Sequence, residues 1–487
     1  MEEAATRGSG TLYDPGSFEP QDGALSSRDP LSWEGYRDAL DAARSSSAAD
    51  ESVVAGPARI AGHEVELGLF DFTFLGGSMG EVAGERLARG LERAKERRVP
   101  FILRTATGGA RMQEGMRSLV QMPKVVAARL GLSETGTPLI AVLGHPTTGG
   151  VLASLAALAD VTVAEAGATV GFGGPRVAEA FTGRPLTGIS HTAETALGSG
   201  LIDDVIDASG MRAYLARALR TLAPDQPHET AHAPPTVEKR EEKPDAWRAV
   251  AAARSTQRPL GFELLLEMSE SLIELRGDRQ GVDDPSIDSA IARVAGRRMV
   301  VIALDRERVP GPGAFRKARR CLEIAARLHL PVVTFVDTRG ADPGEDSEAA
   351  GIAWEIAKLL EELLAVPVPT LSIVIGEGGS GGALAFAATD VLLIFEDAVF
   401  SVIGPEMAAQ ILWRDKSRAE EAAGRLKLGA FDLLRLDIAD GVLPEPVASG
   451  PIAAAIAYHL GRLSEQATSP AEHVSKRLER WRDRDAH

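Results

Sequence analysis

Two related α/β domains with mainly parallel sheets are the fold the sequence predicts, on three observations. The first is an internal repeat. Residues 146–175 read PTTGGVLASLAALADVTVAEAGATVGFGGP, and residues 376–405 read GEGGSGGALAFAATDVLLIFEDAVFSVIGP. In each copy glycines open a small-residue helix, an aspartate leads into an apolar strand, and a Gly-Pro closes the run. Asp160 and Asp390 lie 230 residues apart, as do Pro175 and Pro405; so long a period marks duplicated domains and not a solenoid of short repeats. The second observation is the alternation of apolar strand patterns with amphipathic helix patterns, which implies parallel strands joined by crossover helices. The third is length: 487 residues suffice for two or more domains with a core each.

The elements follow in order. Residues 1–50 form a polar opening segment, with helix character only near WEGYRDALDAAR. A first domain over 51–221 begins with VVAGPARIAGHEVELGLFDFTFLGG, two or three strands broken by Gly turns. GEVAGERLARGLERAKERR is an amphipathic helix and VPFILRTA a buried strand. LSETGTPLIAVLG gives a turn and a strand, the first repeat follows, and ETALGSGLIDDVID closes the domain as helix, turn and strand. Residues 222–246 are rich in Pro, Glu and Lys and read as a linker. A second domain over 247–467 repeats the alternation: GRRMVVIALD strand, FRKARRCLEIAARLH helix, PVVTFVD strand, AGIAWEIAKLLEELLAV helix, PTLSIVIG strand, then the second repeat. Upstream of the repeats the match is looser, ERRVPFILRTATGGARMQEG at 96–115 against LHLPVVTFVDTRGADPGEDS at 328–347. Residues 468–487 are expected to be a charged C-terminal tail, helical or disordered.

The formal charge of −16 argues against a general nucleic-acid binder, which needs a basic face, and leaves room only for a local basic patch. Cys321 is the only cysteine, so neither an intrachain disulfide nor a Cys-based zinc site can form; its setting, ARRCLEIAARL, is that of an apolar helix position. The N-terminus is acidic without an apolar signal core, and no apolar run is long enough to span a membrane, so a cytoplasmic protein without membrane attachment is expected.

Glycine at a helix start has a mechanical use. Without Cβ the backbone can approach a ligand, and the first helical amides have no internal partner. Two such amides aimed at one point suit a developing oxyanion. Close packing of helix on sheet would also explain one glycine pair; recurrence in both halves favours a ligand.

The runs GGSMGEVAGERLARGLERA (76–94), TGGARMQEG (107–115), HPTTGGVLAS (145–154) and GFGGPRVAE (171–179), with LYDPGSFEP and RDPLSWEGYRDAL upstream, resemble the β subunit of bacterial acetyl-CoA carboxylase carboxyltransferase. ELRGDRQGVDDPSIDSAIARVAGRR (274–298), FRKARRCLEIAARLHLPVVTFVDTRGADPGE (315–345), GEGGSGGALA (376–385), SVIGPEMAAQILW (401–413) and LPEP (443–446) resemble its α subunit. The chain looks like the two subunits fused. The resemblance implies a crotonase-like (ClpP/crotonase) fold in each half. It also implies transfer of a carboxyl group from carboxybiotin, held on a biotin carboxyl carrier protein, to the α-carbon of acetyl-CoA or another short acyl-CoA, giving malonyl-CoA for fatty acid biosynthesis. Biotin carboxylase and the carrier would be separate partners. The active site would lie between the β-type half of one protomer and the α-type half of another, so a homodimer is expected.

The resemblance places one oxyanion hole at Gly108 and Gly109, for the thioester enolate, and a second at Gly382 and Ala383, for the ureido oxygen of biotin. Each donor of this kind is worth about 3–4 kcal/mol when removed. The biotin anion can itself take the α-proton, so no side-chain base is required. Gly76, Gly77 and Ser78 are candidates for a CoA-facing loop, and Gly149, Gly150, Gly340 and Gly381 for further close approaches to the ligands. Arg111 could position a substrate phosphate or carboxylate, or form a structural ion pair with Glu114. His145 reads better as a structural hydrogen-bonder, and Gln113 and Glu114 as loop braces. The VDTRGADPGE run is expected to shape the biotin-side pocket. No metal is expected: many bacterial β subunits carry a four-cysteine zinc ribbon, which this chain's cysteine count cannot supply. Where the family has Pro and Tyr in this run, Arg339 and Asp342 stand here. Two other readings stay open from the residues: a crotonase-fold decarboxylase of malonyl thioesters, and a non-catalytic assembly subunit of a carboxylase.

Overall fold

In the computed structural model, which describes residues 12–47, 49–186, 190–225, 232–238, 245–467 and 469–483, the first sheet opens with a hairpin. Strands β1 (Val53–Ile60) and β2 (His63–Phe70) pair antiparallel around Ala61 and Gly62, both at positive φ. A two-residue turn with both φ values positive matches the strand twist and fixes the register. Next comes the amphipathic helix Glu81–Arg97, which buries Ala83, Leu87, Leu91 and Ala94 and ends on Arg98 in the left-handed region. Strands β3 (Phe101–Thr107), β4 (Leu139–Thr148), β5 (Val161–Glu165) and β7 (Asp204–Ile206) then add in parallel, and the short β6 (Val170–Gly171) pairs with the end of β4. The sheet order is β1-β2-β3-β4-β5-β7.

The second sheet repeats this plan. After an added strand β8 (Ser269–Glu274), β9 (Ile287–Val294) and β10 (Arg297–Leu304) form a hairpin around Ala295 and Gly296, again both at positive φ. Helix Pro312–Leu328 ends on His329 in the left-handed region. Strands β11 (Val332–Thr338), β12 (Thr370–Gly379), β13 (Val391–Phe395) and β15 (Gly441–Leu443) run parallel, and β14 (Val399–Ser401) pairs with the end of β12. The order is β15-β13-β12-β11-β10-β9-β8. Cys321 is buried in the helix, as its setting predicts.

The repeated aspartates have a structural task. Asp160 accepts from Leu139 N at 2.7 Å and Asp390 from Thr370 N at 2.7 Å, each fixing the start of the strand that carries the glycines. Asp390 has a second partner. Arg477, on helix Pro470–Arg482, is fully buried and donates to both Asp390 oxygens, at 2.7 and 2.9 Å, and to Val366 O and Val368 O. The described part of 468–487 is therefore a docked helix and not a loose tail.

Two compact units divide the chain. The first runs to Leu222 and includes Arg279–Gly281; the second takes Ala223–Asp278 and the chain from Val282. In the stretch read as a linker, Pro234 is buried and Val237 N donates to Val442 O at 2.9 Å, so its described part extends the second unit. No described helix is long and apolar enough to cross a membrane.

Candidate active site

Each unit brings two glycine turns together, one after its third equivalent strand and one after its fourth. In the first unit these are the turn Thr107–Ala110 after β3 and helix Gly149–Leu152 after β4. Gly109 has φ +109° and Gly149 φ +66°, conformations that favour glycine. A Cβ on Gly109 would stand 3.1 Å from Gly149 Cα and 3.5 Å from Gly150 N; one on Gly149 would stand 2.8 Å from Gly109 Cα. The two turns are thus in backbone contact. Gly150 N, the second amide of its helix, has no partner within that helix.

The second unit builds the same crossing from the turn Thr338–Ala341 and helix Ser380–Leu384. Gly340 has φ +130°. Its N–H donates to Thr338 Oγ1 at 3.2 Å, as Gly109 N does to Thr107 Oγ1 at 3.0 Å. A Cβ on Gly382 would lie 2.7 Å from Ala341 N, whereas Gly381 faces open space. Ser380, at φ +60°, occupies the place of Gly149.

This geometry corrects the register read from the sequence. Thr107 and Thr338, Gly109 and Gly340, and Gly150 and Gly381 are each 231 residues apart, one fewer than the paired runs at 96–115 and 328–347 imply and one more than the aspartates show. Gly381 is therefore the partner of Gly150, while Gly382 and Ala383 stand where the first unit has Val151 and Leu152. The two expected holes were drawn from different turns of the fold; each unit in fact carries both turns. Gly108 also departs from expectation, since its amide is donated to Gly76 O at 2.9 Å. Gly76, Gly77 and Ser78 brace that loop: a Cβ on Gly77 would stand 1.9 Å from Ala106 O, and Ser78 O accepts from Arg111.

Arg111 is not turned toward a ligand. Its side chain is fully buried and is spent on Glu51, Glu114, Ser52, Ser78 and Ser27. Burial alone would raise the Glu51 carboxyl, but the charge of Arg111 and its hydrogen bonds outweigh this and hold it below its usual value. Glu114 also accepts from Tyr36 Oη and Glu81 N, both at 2.6 Å, so this hub ties helix Tyr36–Ser47, the start of helix Glu81–Arg97 and the Gly109 turn together. His145 accepts from Thr169 N at 3.2 Å, the structural role expected of it.

Behind the second crossing lies a network the sequence did not reveal. Asp337 is buried, pairs with Arg306 at 2.6 Å and accepts from Glu377 N at 3.0 Å. Burial raises its carboxyl above the usual range despite Arg306. Glu377 in turn pairs with Arg254 at 2.6 Å. Of the three acids of the VDTRGADPGE run, Asp337 is thus internal and Glu345 exposed, while the Arg339 side chain beside Gly340 is 69% exposed. The shared Thr-x-Gly of TGG and TRG was the one sequence signal for these turns. Among the described residues no group of three or more His, Cys, Asp or Glu is placed to hold a metal ion.

A hairpin followed by a parallel spiral, with backbone amides gathered where two glycine turns cross, defines a crotonase-like domain, here present twice. Residues 234–483 match the family model described as acetyl co-enzyme A carboxylase carboxyltransferase-like. The chain is 43% identical over 458 residues to the acetyl-coenzyme A carboxylase carboxyl transferase subunits beta/alpha of Salinispora arenicola, covering 89% of this chain and 81% of that one. It is 37% identical to a probable biotin-dependent acyl-coenzyme A carboxylase beta3 subunit of Mycobacterium bovis, covering 92% of each. Among solved structures it superposes on the transcarboxylase 12S core with a TM-score of 0.76 at 24% identity, over 94% of this chain and 89% of that one. The chain belongs to the acetyl-CoA carboxylase carboxyltransferase family, with the β-type and α-type portions in one polypeptide, and it is a carboxyltransferase.

Proposed function

We propose that the chain carries carboxyl groups from carboxybiotin, borne on a separate biotin carboxyl carrier protein charged by a separate biotin carboxylase, to acetyl-CoA or another short acyl-CoA. The product would be malonyl-CoA for fatty acid biosynthesis in the cytoplasm. One observation carries this reading: each unit holds a crossing of two glycine turns, so one chain offers two sites for an anionic oxygen. The first crossing, at Gly109 and Gly150, would hold the thioester oxygen as the α-carbon becomes nucleophilic. The second, at Gly340, Ala341, Gly381 and Gly382, would hold the ureido oxygen. The Gly109 and Gly340 amides donate to Thr107 and Thr338 Oγ1, so these two residues set the turns, and the growing negative charge would be met by the N–H groups of Gly150, Ala341, Gly381 and Gly382. Carboxybiotin supplies the carboxyl group and, once it has been given up, a base for the α-proton. Gly109 and Gly382 hold their turns at backbone contact, and the Arg111 and Asp337 networks keep those turns in place.

The working form is a two-fold homodimer in which the β-type half of one chain meets the α-type half of the other. Two equivalent helices support this. On helix Pro175–Thr182, Val177 is 64% and Phe181 91% exposed; on helix Pro405–Trp413, Met407 is 49% and Ile411 64% exposed. Each pair sits four residues apart on one helical face, and exposed apolar faces of this kind mark interaction surfaces. Purified chain given carboxylated carrier and acetyl-CoA should make malonyl-CoA. Absence of product with any short acyl-CoA, from folded chain and intact carrier, would overturn the reading. In the same assay a heterodimer of Gly109→Val and Gly382→Val chains leaves one of its two sites intact. Random mixing of the two inactive variants should therefore restore roughly a quarter of wild-type activity. Confirmed heterodimers that restore none would show that each chain builds its own site.

A further inference from the structure

Beside the first glycine crossing lies a cavity of about 460 Å³ within the first unit. Its wall is shared with the site. Leu152, the last residue of the helix that starts at Gly149, lines it, and so do Gly171 and Phe172. Phe172 O accepts the Gly149 N–H at 2.9 Å, so the chain just past β6 both lines the cavity and holds the first glycine of the helix. The lining is mostly apolar, with Leu143, Val170, Ala196 and Ile202 on its inner surface.

The one guanidinium at the wall is already neutralised. Arg279 pairs with Asp203 at 2.6 Å and donates to Gly200 O at 3.2 Å. Among the described lining residues the other basic side chain is His191, whose Nδ1 lies 2.9 Å from Ser190 Oγ; with Arg279 paired and the rest largely apolar, the cavity suits an uncharged, flexible, apolar group. Its volume falls in the range of small-molecule sites, roughly 300–1,000 Å³. The methyl of an acetyl thioester would fill only a small part of it.

We propose that this cavity receives the alkyl tail of an acyl-CoA whose thioester is held at Gly109 and Gly150, so that the chain accepts acyl groups longer than acetyl. The proposal rests on the carboxyltransferase reading above and specifies its acceptor. Leu152, two residues beyond Gly150, is the lining residue that the tail of a thioester held there would meet on this helix. Each methylene that passes from water into such a lining gains about a fourfold increase in affinity.

The test is calorimetric titration of the full chain with acetyl-, butyryl-, hexanoyl- and octanoyl-CoA. The dissociation constant should fall about fourfold per added methylene until the cavity is full. Ala157→Phe should flatten the series, since Ala157 lines the cavity and is itself exposed, leaving room for the ring. Ser199→Phe, at another lining position, is the second filling variant should the first not fold. Acetyl-CoA binding with a flat or weakening wild-type series, or a series that both filling variants leave unchanged, would overturn the cavity assignment alone. Failure to bind any of the four esters would overturn the acyl-CoA reading as well.

Discussion

Gly109→Val should cut carboxyl transfer by about a hundredfold or more, the cost of losing an oxyanion donor. Two independent constraints converge on this residue. Its φ of +109° is one that a β-branched side chain does not adopt without strain. Its Cβ would also stand 3.1 Å from Gly149 Cα, before the valine methyls are added. The turn must move away from helix Gly149–Leu152, and the amides lose their common focus. Gly108 gives the control. A Cβ there meets only Gly76 O at 3.6 Å, and its φ is not positive. Gly108→Ala should therefore keep most of the activity. Steady-state rates beside thermal melts check both variants; Gly109→Val activity within tenfold of wild type would show that the first crossing does no chemistry.

Gly382→Val should do comparable damage in the other unit. The added Cβ would sit 2.7 Å from Ala341 N and 3.0 Å from Ala341 Cβ, a clash with backbone that no side-chain rotation relieves. Separating the Ser380–Leu384 helix from the Gly340 turn leaves the Gly109 crossing untouched. Transfer between biotin and the thioester should drop about a hundredfold or more, while acyl-CoA binding stays near wild type by calorimetry. Transfer that survives this substitution would remove the second crossing from the mechanism.

What could be read from the sequence divides along physical lines. Periodicity gave the helices Glu81–Arg97 and Pro312–Leu328 because both bury one apolar stripe, and the long glycine repeat gave the duplication. The spacing of Asp160 and Asp390 was legible because both do the same job at a strand start. The exact partners of the glycines were not, because a one-residue difference between the two units lies between Gly150 and Asp160, inside a run of small residues that string matching cannot resolve. Arg111 read either as a ligand-positioning cation or as the partner of Glu114; the Glu114 pair was legible at three residues' spacing, whereas Glu51 and Ser27 were hidden because they are remote in sequence. The pairing of Asp337 was hidden for the same reason, its partner Arg306 lying on the loop after a different strand. The hairpin over β9 and β10 escaped notice because only the Ala-Gly step at 295–296 marks it. The segment after residue 468 looked like a tail because its composition is charged, yet one fully buried arginine docks it.

The central claim is that the two crossings work on one reaction linking biotin to a malonyl-type thioester. It is tested most directly by incubating the purified chain with malonyl-CoA in the presence and absence of free biotin and measuring the loss of malonyl-CoA and the acetyl-CoA formed. The account predicts loss that depends on biotin and that both Gly109→Val and Gly382→Val abolish. Loss that proceeds equally without biotin, and survives Gly382→Val, would instead make the chain a decarboxylase that uses the first crossing alone.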